Sequence, residues 1–226
     1  MTIRAKLYAA IVLTVLGPIA TTAVALHGMS ELGDRFDEVQ EQAQHESIAR
    51  ELKFAVTDVN GWQTAYGYDN GRSRPRFVRE ANGLRDDLDA AAGTLTDPRE
   101  RALLDRLQRQ FDGFMRLDAV AWDALQEGDR GRVRQIFLGP EITRFEAMAD
   151  TADRLADYET QRVAETDEAF DDARDDARRR LIAVALGAAV VIILLLFAAN
   201  DIARMALEGE RVRGRRRREP PGDERP

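Results

Sequence analysis

The chain has 226 residues, a formal net charge of −7 and no cysteine. That length holds one domain of ~100–200 residues with flanking segments, and the lack of thiols excludes disulfides and thiolate metal sites. Charged residues make up 32% of the chain, yet two stretches carry none of them, so the sequence alternates between strongly apolar and strongly charged parts.

Arg4 and Lys6 precede the first apolar stretch, residues 7–26, which holds 20 residues without a charge. At about 1.5 Å per residue a helix of this length spans ~30 Å, the thickness of a bilayer core. A cleaved signal peptide is the competing reading, with Ala23-Val24-Ala25 as its cleavage site. Secretory apolar cores run ~7–15 residues, so the longer stretch is read as an uncleaved signal anchor. Pro18 inside it is tolerable in a bilayer-spanning helix.

The next 150 residues have few turn signals. Asp69-Asn70-Gly71-Arg72-Ser73-Arg74-Pro75 is a loop by its Asn-Gly and Pro punctuation. Asp97-Pro98-Arg99-Glu100 predicts a helix start, with Asp97 as N-cap, Pro98 in the first position and Glu100 closing a capping box. Gly128-Asp129-Arg130-Gly131 and Leu138-Gly139-Pro140-Glu141 are further breaks. Four helical segments result, at roughly 28–68, 76–94, 98–127 and 140–180, with a short helical piece at 131–137. Apolar residues recur at steps of three and four: Ile48, Leu52, Ala55, Val59, Trp62 and Tyr66 in the first; Leu104, Leu107, Phe111, Phe114, Asp118, Ala121 and Leu125 in the third. The fourth continues through Ile142, Phe145, Ala149, Ala152, Ala156, Glu159, Val163, Thr166, Phe170, Ala173 and Ala177. This is the seam of helices packed at shallow angles. The predicted fold is all-α, an antiparallel four-helix bundle continuous with two transmembrane helices.

The second apolar stretch is residues 181–199, 19 residues without a charge. A basic tail follows, with Arg204, Arg211, Arg213 and Arg215-Arg216-Arg217-Arg218. Residues 28–180 hold 23 basic and 34 acidic residues, a net charge of −11. Since cytoplasmic flanks carry the excess of arginine and lysine, Arg4, Lys6 and Arg215 to Arg218 set both termini in the cytoplasm and residues 28–180 outside the cell membrane. Arg178-Arg179-Arg180 run against this orientation, partly offset by Asp171, Asp172, Asp175 and Asp176 one to two turns earlier. The expected organisation is therefore a cytoplasmic N-terminus (1–6), a first span (7–27), an extracytoplasmic bundle (28–180), a second span (181–202) and a disordered basic tail (203–226).

This layout resembles the ligand-binding region of bacterial methyl-accepting chemotaxis receptors. Asp58-Val59-Asn60-Gly61-Trp62-Gln63-Thr64-Ala65-Tyr66 is similar to the late first helix of actinobacterial members, and Leu95-Thr96 and Phe111, Phe114-Met115 and Asp118 are similar to their third helix. The resemblance covers about residues 1–202. It implies a sensor that passes a signal by a shift of the fourth helix against the first. Family members continue into a HAMP linker and a signalling coiled coil. Only about 25 residues follow the second span here, so the resemblance is to a receptor lacking its output, which would act through a membrane signalling partner. A scaffolding bundle or a vestigial truncated receptor is the alternative.

Five residues are candidates for a small-molecule site: Trp62, Gln63, Tyr66, Asp118 and Trp122. Aromatics with a few polar partners suit small organic ligands; the same residues also suit ordinary core. A carboxylate on the seam needs a partner, and Asp118 has Trp62, Gln63, Tyr66 or an arginine to choose from. It also reads as a register-fixing buried polar residue. His27 and His45 are too far apart for a metal motif, so neither a metal nor a cofactor is expected. The acidic runs at 86–89 and 171–176 read as solvated faces. No phosphate loop, nucleophile elbow or zinc-hydrolase motif occurs, so an enzyme is not expected. The expected partners are the lipid bilayer and a second membrane chain, identical or different; nucleic acid is not among them.

Overall fold

The computed structural model describes residues 3–216, with side chains described for residues 8, 12, 14–197, 199, 200 and 204. Arg217 and Arg218 lie outside the described residues, and Arg4, Lys6, Arg215 and Arg216 outside the described side chains. The fold is all-helical, with no strand among the described residues. In chain order come α1 (Ile3–Tyr68), α2 (Arg74–Thr94), α3 (Pro98–Gln126), the short α4 (Arg130–Ile136), a π-helical turn (Phe137–Glu141) and α5 (Ile142–Arg216).

Local chemistry explains the breaks. After α1 the backbone turns through Asn70 (φ 56°) and Gly71 (φ 88°), left-handed conformations that Asn and Gly adopt at least cost. The Asp69 carboxylate closes this turn by accepting from the Ser73 amide (3.2 Å) and hydroxyl (2.6 Å). Asp97 caps α3 by accepting from the Arg99 and Glu100 amides, and the Glu100 carboxylate accepts from the Asp97 amide at 3.0 Å, completing the capping box. Asp129 caps α4 through the Arg132 amide. The helical path kinks at Gly139, whose backbone is non-helical ahead of Pro140.

Helix α5 runs without a break to Arg216, into the segment where disorder was expected from residue 203. Met205, Ala206, Leu207 and Glu208 are favourable helix residues, and no proline interrupts the hydrogen-bond ladder. Within α5 one stretch is long and apolar enough to cross a membrane, and none of it is buried against other parts of the chain. Its side chains from Leu181 to Phe197 are largely exposed, Leu186 at 63% and Phe197 at 69%.

The chain divides into two compact units, Arg35–Phe170 and a second made of the flanking parts on either side. In the second unit Gly28 lies against Ala177, and Arg180 reaches Glu31 at 3.3 Å.

The first unit holds the core. Buried positions on α1 are Gln42, His45, Ala49, Leu52, Val56, Val59, Gln63 and Tyr66; on α3 they include Glu100, Leu104, Leu107, Phe111, Phe114, Asp118 and Ala121. On α2 they are Phe77, Ala81, Leu84, Leu88 and Ala91. Each series alternates steps of three and four, as a continuous seam requires. The α1 seam differs from the expected one. Trp62, Ile48 and Ala55 are half-buried flanks, and Gln63, Ala49 and Val56 take the central line. Both lines have the same period, and a buried helix face is over ~100° wide, so periodicity alone does not separate them. On α5 the central residues are Met148, Ala152, Leu155 and Glu159, while Ile142 is 44% exposed and Phe145 and Ala149 lie at the edge.

Candidate functional site

Seams made only of apolar residues would need no polar partners. This core instead carries polar groups at both ends, with the apolar residues between them. Burying such groups is unfavourable unless they are paired, so each layer has to bring its partners together from several helices.

The first layer centres on Asp118, which is 1% exposed. Its Oδ1 accepts from Tyr66 Oη (2.5 Å), Arg74 Nη1 (2.7 Å) and Gln63 Nε2 (3.2 Å). Arg74 Nη1 also lies 2.6 Å from Oδ2. The guanidinium of Arg74 lies over three rings, with centroids at 4.8 Å (Tyr66), 4.7 Å (Phe77) and 4.9 Å (Trp122). Tyr66 in turn meets Phe77, Trp122 and Phe137 edge-on. Gln63 Nε2 donates in addition to Glu141. Burial first, and then the Asp118 charge, pushes the Glu141 carboxyl up to about 8. The same two causes, in the same order, raise the Tyr66 phenol.

Four of the five residues expected to share a site therefore meet: Gln63, Tyr66, Asp118 and Trp122. Trp62 does not join them, and stacks instead under Arg76, 4.0 Å from guanidinium carbon to ring centroid. Arg74, Phe77, Phe137 and Glu141 complete the layer, and no sequence signal marks them out. An arginine partner for Asp118 was among the expectations, but its identity was not. Asp118 Oδ1 is fully engaged beneath the Arg74 guanidinium and its aromatic rings, whereas Glu141 Oε2 is buried without a hydrogen-bond partner.

The second layer comprises Gln42, His45, Glu100 and Glu159, each at most 6% exposed. His45 Nδ1 faces Glu100 Oε1 at 3.2 Å, and Gln42 Nε2 donates to Glu159 Oε2 at 2.5 Å. Glu159 Oε1 is buried with no hydrogen-bond partner. Burial raises the affinity of Glu159 for a proton, and the neighbouring Glu100 carboxylate adds to it by its charge and by a hydrogen bond that the protonated form makes. This layer opens into a cavity of about 270 Å³ lined by Glu38, Glu41, Gln42, His45, Thr96, Asp97, Glu100 and Arg162. The acidic runs at 86–89 and 171–176 lie on exposed faces, as expected.

No protein family matches the chain, and neither a characterised protein nor a solved structure is significantly similar to it.

Proposed function

We propose that the chain is a membrane-anchored, sensor-like protein in which an antiparallel four-helix bundle of α1, α2, α3 and α5 stands outside the cytoplasmic membrane between two spanning helices. Partner order supports the antiparallel arrangement. Along α1, Phe36, Glu46, Lys53 and Gln63 meet Phe170, Thr160, Asp153 and Glu141 in turn. Rising α1 numbers meet falling numbers along the last helix and the turn before it. Along α3 the order follows α1, with His45 at Glu100 and Gln63 at Asp118. The apolar stretch of α5 and the arginine-rich flanks support the membrane placement.

The observation that carries the sensor reading is continuity. One helix, α5, carries Glu159 of a buried polar layer, the membrane-length apolar stretch and the basic segment beyond it. A ligand that prefers one packing of such a layer biases the position of that helix, by no more than its differential affinity for the two packings. The chain would pass this shift to a membrane partner, a second copy or a signalling protein. The engagement of Asp118 Oδ1 by Tyr66, Arg74 and Gln63 favours the plainer alternative, a bundle that holds a partner without binding a ligand at that end.

The cysteine-free chain allows a direct test. Single cysteines at the exposed positions Thr64, Asp86 and Arg204 are probed in intact cells with a membrane-impermeant maleimide. Labelling at 64 and 86, with 204 reacting only after permeabilisation, is the expected pattern; equal labelling of all three would defeat the topology. For the sensor, a thermal-shift screen of the full chain in detergent uses amino acids, organic acids and small aromatics. A ligand at about 100 times its Kd stabilises the fold by ~2.7 kcal/mol.

A further inference from the structure

We propose that the second polar layer is a binding site for a divalent transition-metal ion of the zinc class, held by His45, Glu100 and Glu159. This inference is independent of the membrane reading, since every residue involved lies within Arg35–Phe170.

The ligand set comes from three helices. His45 projects from α1, Glu100 from the first turn of α3 and Glu159 from α5. One donor atom from each lies within 4.8 Å of the others. Zinc bonds of ~2.0–2.2 Å to nitrogen and oxygen in a tetrahedron place neighbouring ligand atoms ~3.3–3.5 Å apart. His45 Nδ1 and Glu100 Oε1 are already 3.2 Å apart, so two of the three ligands need almost no movement, and Glu159 must close by about an ångström.

The carboxylates are divided in the way a metal site needs. On Glu100, Oε2 is taken by the Asp97 amide of the capping box, which leaves Oε1 toward His45. On Glu159, Oε2 is taken by Gln42, which leaves Oε1 buried without a donor and turned to the Glu100 carboxylate. Behind the imidazole, Nε2 lies 4.0 Å from the exposed Glu41 carboxylate, beyond direct hydrogen-bond reach. Without an ion the two neighbouring carboxylates share a proton, and a dication binding between them displaces it. Arg162, 3.8 Å from Glu100 Oε1, is also 3.6 Å from Asp97 Oδ2 and retains that second partner when Glu100 turns to the ion.

The chemistry selects the ion. One imidazole and two carboxylates suit zinc and its neighbours, whereas calcium takes six to eight oxygens and magnesium keeps an octahedral, largely hydrated shell. Three protein ligands leave a fourth position, and the cavity of about 270 Å³ supplies it with water or with a small anionic ligand.

The test uses the full chain in detergent after stripping with chelator. Titration with Zn²⁺ is followed by calorimetry and by competition with a chromophoric chelator, and Co²⁺ by the intense visible absorption of a four-coordinate ion. We expect one Zn²⁺ per chain, with Mg²⁺ and Ca²⁺ unable to compete. Glu159→Gln, which keeps the side-chain volume, and His45→Ala should each weaken binding by about tenfold or more, and Gln42→Ala by about 10–100-fold through loss of carboxylate orientation. His27→Ala should leave binding unchanged, and melting of each metal-free variant reports whether it is folded. Should His45→Ala fail to fold, Glu159→Gln decides. No stoichiometric Zn²⁺ binding by the wild type, or wild-type affinity in a folded Glu159→Gln chain, overturns the proposal.

Discussion

Replacing Arg74 by methionine separates a dry ion pair from a decorative one. The Arg74 side chain is 17% exposed and that of Asp118 1%, so the pair belongs to the buried regime, in which removal of one partner costs ~3–5 kcal/mol. Gln63 and Tyr66 still donate to the abandoned carboxylate, which favours the lower end. Loss of the cation from above the Tyr66, Phe77 and Trp122 rings adds about 0.5–1 kcal/mol. The expected cost is ~3–4 kcal/mol, which lowers Tm by about 10 °C for a unit of this size. Both tryptophans, Trp62 and Trp122, lie within Arg35–Phe170, so fluorescence-detected urea unfolding of the full chain in detergent reports this unit alone. Arg154→Met, which breaks the exposed pair with Asp150, is the control and should cost under about 1 kcal/mol. The double change Arg74→Met, Asp118→Leu should recover only part of the loss, because it leaves no orphaned charge but takes the acceptor from Tyr66 Oη. If Arg74→Met costs no more than Arg154→Met, the layer is wet and the reasoning fails.

Glu141 gives a pH dependence of definite sign. Its carboxyl is raised from 4.5 to about 8 in the fold, so between those values the folded chain holds a proton that the unfolded chain has released. Glu141 should therefore make the unfolding free energy fall as pH rises from about 5 to about 8, by at most ~1.4 kcal/mol per pH unit, and Glu141→Gln should make the profile measured by urea midpoints shallower, most clearly above pH 7, where the like-signed contribution of Glu159 ends. Gly71→Ala should destabilise by about 2 kcal/mol or more, because φ is +88° and the new Cβ would sit 2.9 Å from the Trp122 ring; Gly83→Ala, at a helical glycine with open space around its Cβ, should be neutral or stabilising by thermal melting. Asp97→Ala removes the α3 cap and a contact with Tyr158, for an expected loss of ~1 kcal/mol, visible in the same melts.

The helices are legible in the sequence because their ends are decided within a few residues. Asp97 and Glu100 cap α3 through bonds spanning two or three positions, with Pro98 opening the helix, and Asn70-Gly71 and Gly139-Pro140 interrupt the chain by backbone constraint alone. Alternating steps of three and four by themselves put Tyr66 and Asp118 on buried seams, where the fold has them. The apolar stretch of α5 is equally plain, since length and the absence of charge suffice to define it.

Everything that depends on which side chains meet across helices was decided by tertiary structure. Whether Trp62 or Gln63 lies on the central line is a rotation of α1 by one residue, which its period leaves undetermined. Arg74 reaches Asp118 from the opening turn of α2, 44 residues away, by the length of a flexible arm that no spacing encodes. His45 and Glu100 are separated by 55 residues, and Gln42 and Glu159 by 117. A metal-ligand motif is readable in sequence only when its ligands share one helix or loop. Here three helices each contribute one ligand, and only their packing brings an imidazole and two carboxylates into one layer.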